Sequence, residues 1–389
     1  MPNRLTAIDL FSGAGGFSLA AHQQGFNILA AVEFDQKAAE TYQYNIVERL
    51  GAQTQVFNQD INKVDVQGLM KYQGIKQGEL DLLLGGPPCQ GFSTHRINDS
   101  GADDPRNQLL LRYFDFVAAL MPKVFIVENV PGLLWKRHES YLNKFIDLAH
   151  QHHYRIVNDK PLIINARDYG LPQNRKRAFI LAVRADVSMD DFNWPPAPTH
   201  FTPKSNKKPW KTASSVFEKP SSQVLSSLVK RYVDVNKWDT EKAQQFVNNL
   251  EFGTKLDNTD ECNIHMQHTP TMLERLGNTP LNGSRGESGF TLRCHSNGYV
   301  GHKDVYGRIF FHIPSNTMTT GCNNPSKGRF VHPWEDHGIT LRHAARLQTF
   351  PDSYEFIGNI TEKARQIGNA VPVELGEVLI RTVKNELLM

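Results

Sequence analysis

One cysteine, one glutamate and two arginines lie in segments where side chains of their types can do covalent chemistry. Cys89 belongs to Gly85-Gly86-Pro87-Pro88-Cys89-Gln90-Gly91-Phe92-Ser93, directly after the apolar run 80–84. Prolines fix φ and remove backbone donors, and glycines admit close approach, so this thiol is held in a loop shaped for a ligand. A free thiol with a pKa of about 8.5 is mostly protonated at neutral pH and needs nearby positive charge or proton removal to attack. Arg175 and Arg177, in Gln173-Asn174-Arg175-Lys176-Arg177, are sources of that charge. Glu128 ends the apolar run 124–127, where a carboxylic acid can hold or donate a proton at a heteroaromatic nitrogen. Singly these residues also read as a small buried hydrophobe, a solvated strand end and a surface ion-pair cluster. Their shared placement favours chemistry.

A second constellation suits a nucleoside. Gly13-Ala14-Gly15-Gly16 lies between a strand-like and a helix-like segment, with its glycines closer together than in the dinucleotide fingerprint. That spacing favours a cofactor with an adenosine moiety and no pyrophosphate. Glu33 ends the next strand, about where a ribose-binding acid is expected in a βαβ unit. Asp60 can then take the adenine amine, with Ile61 and Phe34 packing the ring.

These residues need elements to hold them. Strands are expected over 5–11, 28–33, a weaker stretch ending near Asp60, 80–84 and 124–127. Helices are expected from Phe17 to Gln24, from Gln36 to about Val47, and through Leu110, Phe114, Val117 and Met121 until Pro122. Such alternation argues for a parallel, doubly wound sheet binding ligands outside the carboxyl ends of its strands. The Gly13 turn, Glu33, Asp60, Cys89 and Glu128 would then share one rim. Further strands are expected over 155–164 and 178–183, and helices over 340–349 and 373–387. From 185 to 305 the chain turns to Pro, Ser, Asn, Lys and Gly with weak periodicity, as in a smaller domain with long loops.

A chain of 389 residues exceeds one ordinary core. Its cysteines, Cys89, Cys262, Cys294 and Cys322, have neither zinc-ligand nor disulfide-framework spacing, so a reducing compartment and no metal are expected. Neither a signal peptide nor a membrane-spanning run is apparent. The net charge of +3 permits a polyanion partner without demanding one. Residues 204–231 concentrate Lys204, Lys207, Lys208, Lys211, Lys219, Lys230 and Arg231 against a single acid, Glu218, with Trp210 and Phe217 interleaved. A solvated loop face and a phosphate-contacting surface both remain open for this run.

Five blocks together resemble the DNA (cytosine-5)-methyltransferase family. They are Asp9-Leu-Phe-Ser-Gly-Ala-Gly-Gly-Phe17, the block around Cys89, Glu128-Asn129-Val130, Gln173-Asn-Arg-Lys-Arg177 and Gln366-Ile-Gly-Asn-Ala-Val371, in the family's order. The resemblance covers residues 8–184 and 308–375. It implies S-adenosylmethionine as cofactor, seated by Phe11, Gly13, Gly15, Gly16, Glu33, Phe34, Asp60, Ile61, Pro88, Asn369 and Ala370. It implies that Cys89 adds to C6 of a cytosine and that Glu128 contacts N3 and the exocyclic amine. Arg177, with Arg175, would contact the base oxygen and a nearby phosphate. Residues 91–107, with Ser93, would form a loop closing over a flipped base. Arg285, Arg293, His295 and Asn297 have side chains suited to base edges.

The resulting expectation is an α/β protein: a Rossmann-like methyltransferase catalytic domain with a smaller, mostly irregular or β target-recognition domain. The catalytic domain would comprise 1–184 completed by 306–389, with 185–305 as the recognition domain. Double-stranded DNA is the expected partner, methylated by a cytoplasmic, nucleoid-associated bacterial monomer with no membrane contact. A restriction endonuclease would act on the same site without touching it. A tRNA-methylating relative is disfavoured by the long central region and the missing Cys-Phe-Thr motif. An amino-methyltransferase is disfavoured because Pro88 is followed by Cys89. A DNA-binding regulator without catalysis is disfavoured by the intact Cys89, Glu128 and arginines.

Overall fold

The computed structural model describes residues 4–88, 108–289 and 304–389. Cys89, Ser93 and the 91–107 loop, with Arg293, His295 and Asn297, lie outside the described residues. In chain order the elements are β1 (Thr6–Leu10), α1 (Gly16–Gln23), β2 (Asn27–Glu33), α2 (Gln36–Tyr42), β3 (Gln55–Asn58), α3 (Val66–Gln73), β4 (Leu82–Gly85), α4 (Gln108–Leu120), β5 (Val124–Asn129), α5 (Glu139–Gln151), β6 (Tyr154–Ile156), β7 (Leu162–Asn165), β8 (Gln173–Asn174) and β9 (Lys176–Arg184). After these come α6 (Ser222–Asp234), α7 (Thr240–Asn248), α8 (Pro270–Gly277), β10 (Ser315–Asn316), α9 (Leu341–Leu347), α10 (Ile360–Asn369) and α11 (Val373–Val383).

Two compact units share the chain. The first takes residues 1–165, 176–198 and 370–389, and the second 166–175 and 199–369. Whereas the sequence reading grouped 306–369 with the catalytic domain, by contacts this stretch belongs with the central segment. From that reading's closing portion, 370–389 joins the first unit. Its anchor is α11 on α1, where a Cβ at Gly376 would stand 2.8 Å from the Ala20 Cβ, so the glycine lets the helices meet.

The first unit is built on a sheet in the order β3-β2-β1-β4-β5-β9-β6, with β7 also pairing β9. β1 to β5 are parallel, and their fully buried central strands lack polar alternation, as expected for a sheet covered on both faces. Three features differ from the sequence expectation. β9 runs antiparallel to β5, making the sheet mixed. The strand expected over 155–164 is two strands, because Asn158 and Asp159 adopt positive φ and turn the chain between them. Beyond Tyr42, α2 widens into a π-helical stretch, Gln43–Arg49. A core of Leu110, Tyr113, Phe114, Phe116, Val117 and Phe145 on α4 and α5 packs against Phe125 and Val127 of β5.

The second unit is mostly irregular. β structure among its described residues is confined to the β8–β10 pair and single bridges, while α6, α7, α8, α9 and α10 supply regular helix. α6 and α7 pack through Leu228, Val229, Tyr232, Ala243 and Val247. Each helix begins with a side-chain cap, Ser221 on the Val224 N–H and Asp239 on the Lys242 N–H.

Beneath the glycine turn of the first unit lies a buried carboxyl. Asp9 is 1% exposed, and its Oδ2 accepts the Ser18 hydroxyl at 2.7 Å, while Ser18 Oγ accepts the Tyr42 hydroxyl at 2.9 Å. Burial pushes the Asp9 carboxyl up to about 7; the Ser18 bond opposes this and the Glu33 charge adds to it. Because the folded pKa lies above the unfolded value of 3.8, stability falls as pH rises between the two, and the whole cost is present above about 7. Asp9→Asn keeps an acceptor for Ser18 and removes the charge. It is expected to stabilise the protein at pH 8 by on the order of 2–4 kcal/mol, with the gain vanishing near pH 4. Urea unfolding across pH checks this, and parallel pH profiles for variant and wild type would refute it.

Candidate active site

The carboxyl ends of the parallel strands form the rim that the sequence reading expected, registered by Leu10 opposite Gly85, Gly85 opposite Val127, and Glu33 opposite Asn58. Gly85 closes β4 under Tyr113, whose Cε2 lies 2.4 Å from where a Cβ would sit, so no side chain fits. Tyr113 donates to the Leu83 carbonyl at 3.0 Å and fixes that cover. The chain then passes Gly86, whose Cβ position lies 3.6 Å from Glu128 Oε2. Asn129 Nδ2 donates to the Pro87 carbonyl at 3.4 Å. The Gly-Pro-Pro segment and the Glu128-Asn129 strand end are therefore joined. Pro88 is exposed, and Cys89 follows outside the described residues.

Glu128 faces Arg177 of β9. Arg177 Nε lies 2.9 Å from Glu128 Oε1, and the two side chains are only 14% and 11% exposed. The approach is too far out of line for Oε1 to count as hydrogen-bonded, so the contact is an ion pair. Arg177 also donates through Nη1 to the Lys176 carbonyl at 2.8 Å. Arg175 departs from its expected place beside the base. At 1% exposure it donates to the carbonyls of Met318 at 2.9 Å and Gly368 at 3.1 Å, which makes it a clamp inside the second unit. Its neighbour Gln173 donates to the Leu347 carbonyl and the Gln348 side chain, both at 2.8 Å, and accepts the Met318 N–H. Gln348 in turn donates to the Ile367 carbonyl at 2.6 Å. A Cβ at Gly368 would meet the Thr319 backbone at 2.3 Å, so the Gln366-Ile-Gly block is bound to that packing. The sequence blocks contain Asn129 and Gln173 without a role for either, and Gln348 lies outside them. Only a buried amide's need for two kinds of partner could have signalled them.

At the glycine turn, Phe11 and Gly13 adopt positive φ, and Gly15, also left-handed, caps α1. Gly13 N–H donates to Glu33 Oε2 at 2.8 Å, and Asp35 N–H to Oε1 at 2.7 Å. Burial raises the Glu33 carboxyl above its usual range, and these two N–H groups pull it back. Phe34, beside it, is 75% exposed, an open ring face for a planar ligand. Asp60 Oδ1 accepts the Asn62 N–H at 2.9 Å and leaves Oδ2 open, while Ile61 is buried. Ser12 Oγ is buried with no hydrogen-bond partner. An orphaned hydroxyl, a bare ring and an unfinished carboxylate along one strand-end rim suit an adenosine-bearing ligand. Asn369 is exposed at the end of α10 and Ala370 is buried beyond it.

Arg285, expected at a base edge, is instead buried at the start of a 3-10 turn, Arg285–Ser288. Among the described residues, Glu218, His332 and His343 of the second unit have donor atoms within 4.8 Å of one another. Hydrogen bonding accounts for them. His343 Nε2 lies 3.0 Å from Glu218 Oε2, and His332 Nδ1 accepts the N–H groups of Glu335 at 3.0 Å and Trp334 at 3.4 Å. A neutral His332 therefore carries its proton on Nε2, which removes it as a metal ligand.

Comparison with known proteins places the whole chain. A Type II methyltransferase, M.XorII, from Xanthomonas oryzae is 31% identical, with 95% of this chain and 82% of that protein aligned. Another, M.AgeI, from Thalassovita gelatinovora is 29% identical over 98% of this chain and 99% of its own length. A solved structure described as a DNA modification methyltransferase encoded within an E. coli prophage superposes with a TM-score of 0.67 at 25% identity, covering 98% of this chain and 99% of that one. Residues 5–385 match the C-5 cytosine-specific DNA methylases. The chain belongs to that family, whose members carry a methyl group from S-adenosylmethionine to C5 of cytosine in DNA.

Proposed function

We propose that this chain methylates a cytosine turned out of a specific duplex DNA sequence, with Cys89 as the nucleophile and Glu128 as the proton partner at N3. The observation that carries the reading is the junction of the Gly-Pro-Pro segment with Glu128, through Asn129 and Gly86, beside the Arg177 guanidinium. C5 of cytosine is a poor nucleophile until addition at C6 breaks aromaticity. The Cys89 thiolate forms a bond to C6 while Glu128 gives a proton to N3, and the displaced electron pair collects at C5. S-adenosylmethionine supplies an electrophilic methyl group for that carbon. Loss of the C5 proton to water then drives out the Cys89 thiolate and returns the N3 proton to Glu128. Arg177 orients the glutamate and offers its remaining N–H groups to the base oxygen. Turning the base out of the stack costs a few kcal/mol, which contacts to the DNA backbone offset.

The residues that would hold the cofactor are Phe11, Gly13, Gly15, Gly16, Glu33, Phe34, Asp60, Ile61 and Pro88, with Asn369 and Ala370 from the closing block. Ser12 joins them, because its hydroxyl lacks a partner. Recognition of the target sequence is assigned to the central segment, including Arg293, His295 and Asn297, and Ser93 would touch DNA from the loop after Cys89. The Type II names of the relatives support a modification enzyme protecting the site of a restriction endonuclease; within this reading the enzyme acts as a monomer in the cytoplasm. Among the described residues no helix is long and apolar enough to cross a membrane.

Two outcomes test the chemistry. Cys89→Ser is expected to abolish methyl incorporation into duplex DNA while leaving cofactor binding nearly unchanged, and wild-type protein should form a denaturation-stable adduct with a duplex carrying 5-fluorocytosine. Turnover in the serine variant would sink the mechanism. Glu128→Gln is expected to lower kcat by roughly 10²–10⁴-fold, as for loss of a positioned proton donor, with little change in the KM for DNA. A variant that kept its kcat and lost only DNA affinity would assign Glu128 to binding instead.

A further inference from the structure

In the second unit, the chain on either side of Trp210 gathers positive charge around an arginine whose Nε has no hydrogen-bond partner. Phe201 N–H donates to the Lys208 carbonyl at 2.8 Å and Trp210 N–H to the Phe201 carbonyl at 2.9 Å, which closes 202–209 into a tight loop. Ser205 N–H donates to the Thr202 carbonyl, and Lys207 N–H to Ser205 Oγ, so the loop is braced from inside. Lys204, Lys207 and Lys208 are exposed on it, with Lys207 Nζ 4.5 Å from the Phe201 ring centroid. The Trp210 indole is pinned by its Nε1 donating to Asp168 Oδ1 at 2.9 Å. Arg167 lies over that indole, its Cζ 3.8 Å from the ring centroid.

The Arg167 guanidinium is therefore held on the ring face with its Nε unbonded. Its Nε is buried with no acceptor in hydrogen-bonding geometry, and Asp168 Oδ1 stands off at 3.7 Å. A second unfilled donor or acceptor lies in the same group of residues. His200 is 6% exposed, held by Thr199 Oγ1 2.9 Å from Nδ1, and its Nε2 has no partner. Gly170 makes room for that ring, because a Cβ there would stand 2.5 Å from His200 Cε1. Burial first, and then the charges of Lys208 and Lys211, hold His200 below its usual range, which puts these lysines within electrostatic reach of it. Asp168 is the acid that faces the group, and its Oδ1 already accepts from Trp210.

We propose that Arg167 and the 202–209 loop, with Lys204, Lys207 and Lys208, form a binding site for the phosphodiester backbone of the substrate DNA. A planar guanidinium fixed on an aromatic face offers a fork that matches two phosphate oxygens, and flanking lysines neutralise the neighbouring phosphates. Contacts of this kind carry affinity and register but no sequence information. The proposal rests on the reading of this chain as a DNA methyltransferase and adds where on it the DNA backbone is gripped. It also resolves the open question over residues 204–231 by dividing them. The loop lysines belong to the site, whereas Lys230 and Arg231 lie on α6, where Arg231 pairs with Glu287 at 2.6 Å.

The test is a salt titration of binding to a fluorescent 30-base-pair duplex, beside methyl incorporation into plasmid DNA. Lys204/Lys207/Lys208→Gln is expected to lower the slope of log affinity against log salt by about 2–3, one contact contributing roughly 0.9. The KM for DNA should rise about tenfold near 0.15 M salt, with kcat at saturation and cofactor binding unchanged. Arg167→Lys keeps the charge and loses the fork, so it should weaken binding severalfold at an unaltered melting temperature. A control removing equal charge from the helical pair, Lys230/Lys237/Lys242→Gln, should leave the slope alone. An unchanged slope in the loop variant, or an equal fall in the control, overturns the site while wild-type methylation upholds the function. Wild-type protein that neither bound nor methylated DNA would overturn both.

Discussion

Glu128 and Arg177 meet where the parallel strands of the sheet give way to antiparallel ones. Two opposite charges this far out of water are tolerable only together, because removing either leaves the other desolvated and uncompensated. Their distance of 2.9 Å therefore constrains more than the pair. It requires β9 to lie beside β5 in a register that sets Glu128 opposite Phe179, and it keeps the end of β5 open toward Gly86 rather than closed by an apolar side chain. The antiparallel pairing thus sets this contact: β9 delivers an arginine from its starting end to the finishing end of β5. A parallel neighbour would present its own carboxyl end there instead.

A different rule governs the second unit. With little ladder among its described residues, buried carbonyls outside its helices have few backbone N–H groups to pair with, and must find other donors. Buried arginines supply them. Arg308 reaches the carbonyls of Thr279, His332 and Leu276 and then pairs with Asp336 at 2.6 Å. Arg329 takes the carbonyls of Gly283 and Arg308, and Arg342 that of Tyr354 together with the Asp260 carboxylate. Arg175 belongs to this set. A guanidinium has five donors and no acceptor, so one side chain can tie three loop segments together. An arginine in a motif can accordingly tie loop segments together, and in this Arg175 differs from Arg177, which pairs with Glu128, although one residue separates them.

The strand ends were legible because fully buried parallel strands have a plain signature, a short apolar run ended by a turn residue or an acid. β1, β2, β4 and β5 each fit it, and so the rim carrying Glu33 and Glu128 could be read before any coordinates. The direction of β9 was not legible, since Ala178 to Val183 is equally apolar in either orientation. Nor was the break between β6 and β7, where two positive-φ residues, Asn158 and Asp159, interrupt what otherwise reads as one strand. The role of Arg175 depends on Met318 and Gly368, more than a hundred residues away, and no local pattern announces such a contact. Periodicity reports the face an element buries; it is silent on which distant carbonyls a buried donor will meet.

The glycine turn at the start of the chain brings these constraints together. Gly13 and Gly15 supply backbone angles that other residues adopt with strain, but glycines alone would leave the turn mobile. Glu33 removes that freedom by accepting the Gly13 and Asp35 N–H groups on separate oxygens, so one carboxylate fixes the turn to the end of β2 and to the cap of α2. Asp35 completes the cap with its own side chain on the Ala38 N–H. Bonds within the protein hold this arrangement. A ligand entering beside Phe34 would thus find the turn already ordered, and binding free energy that would otherwise go into ordering it remains available for affinity.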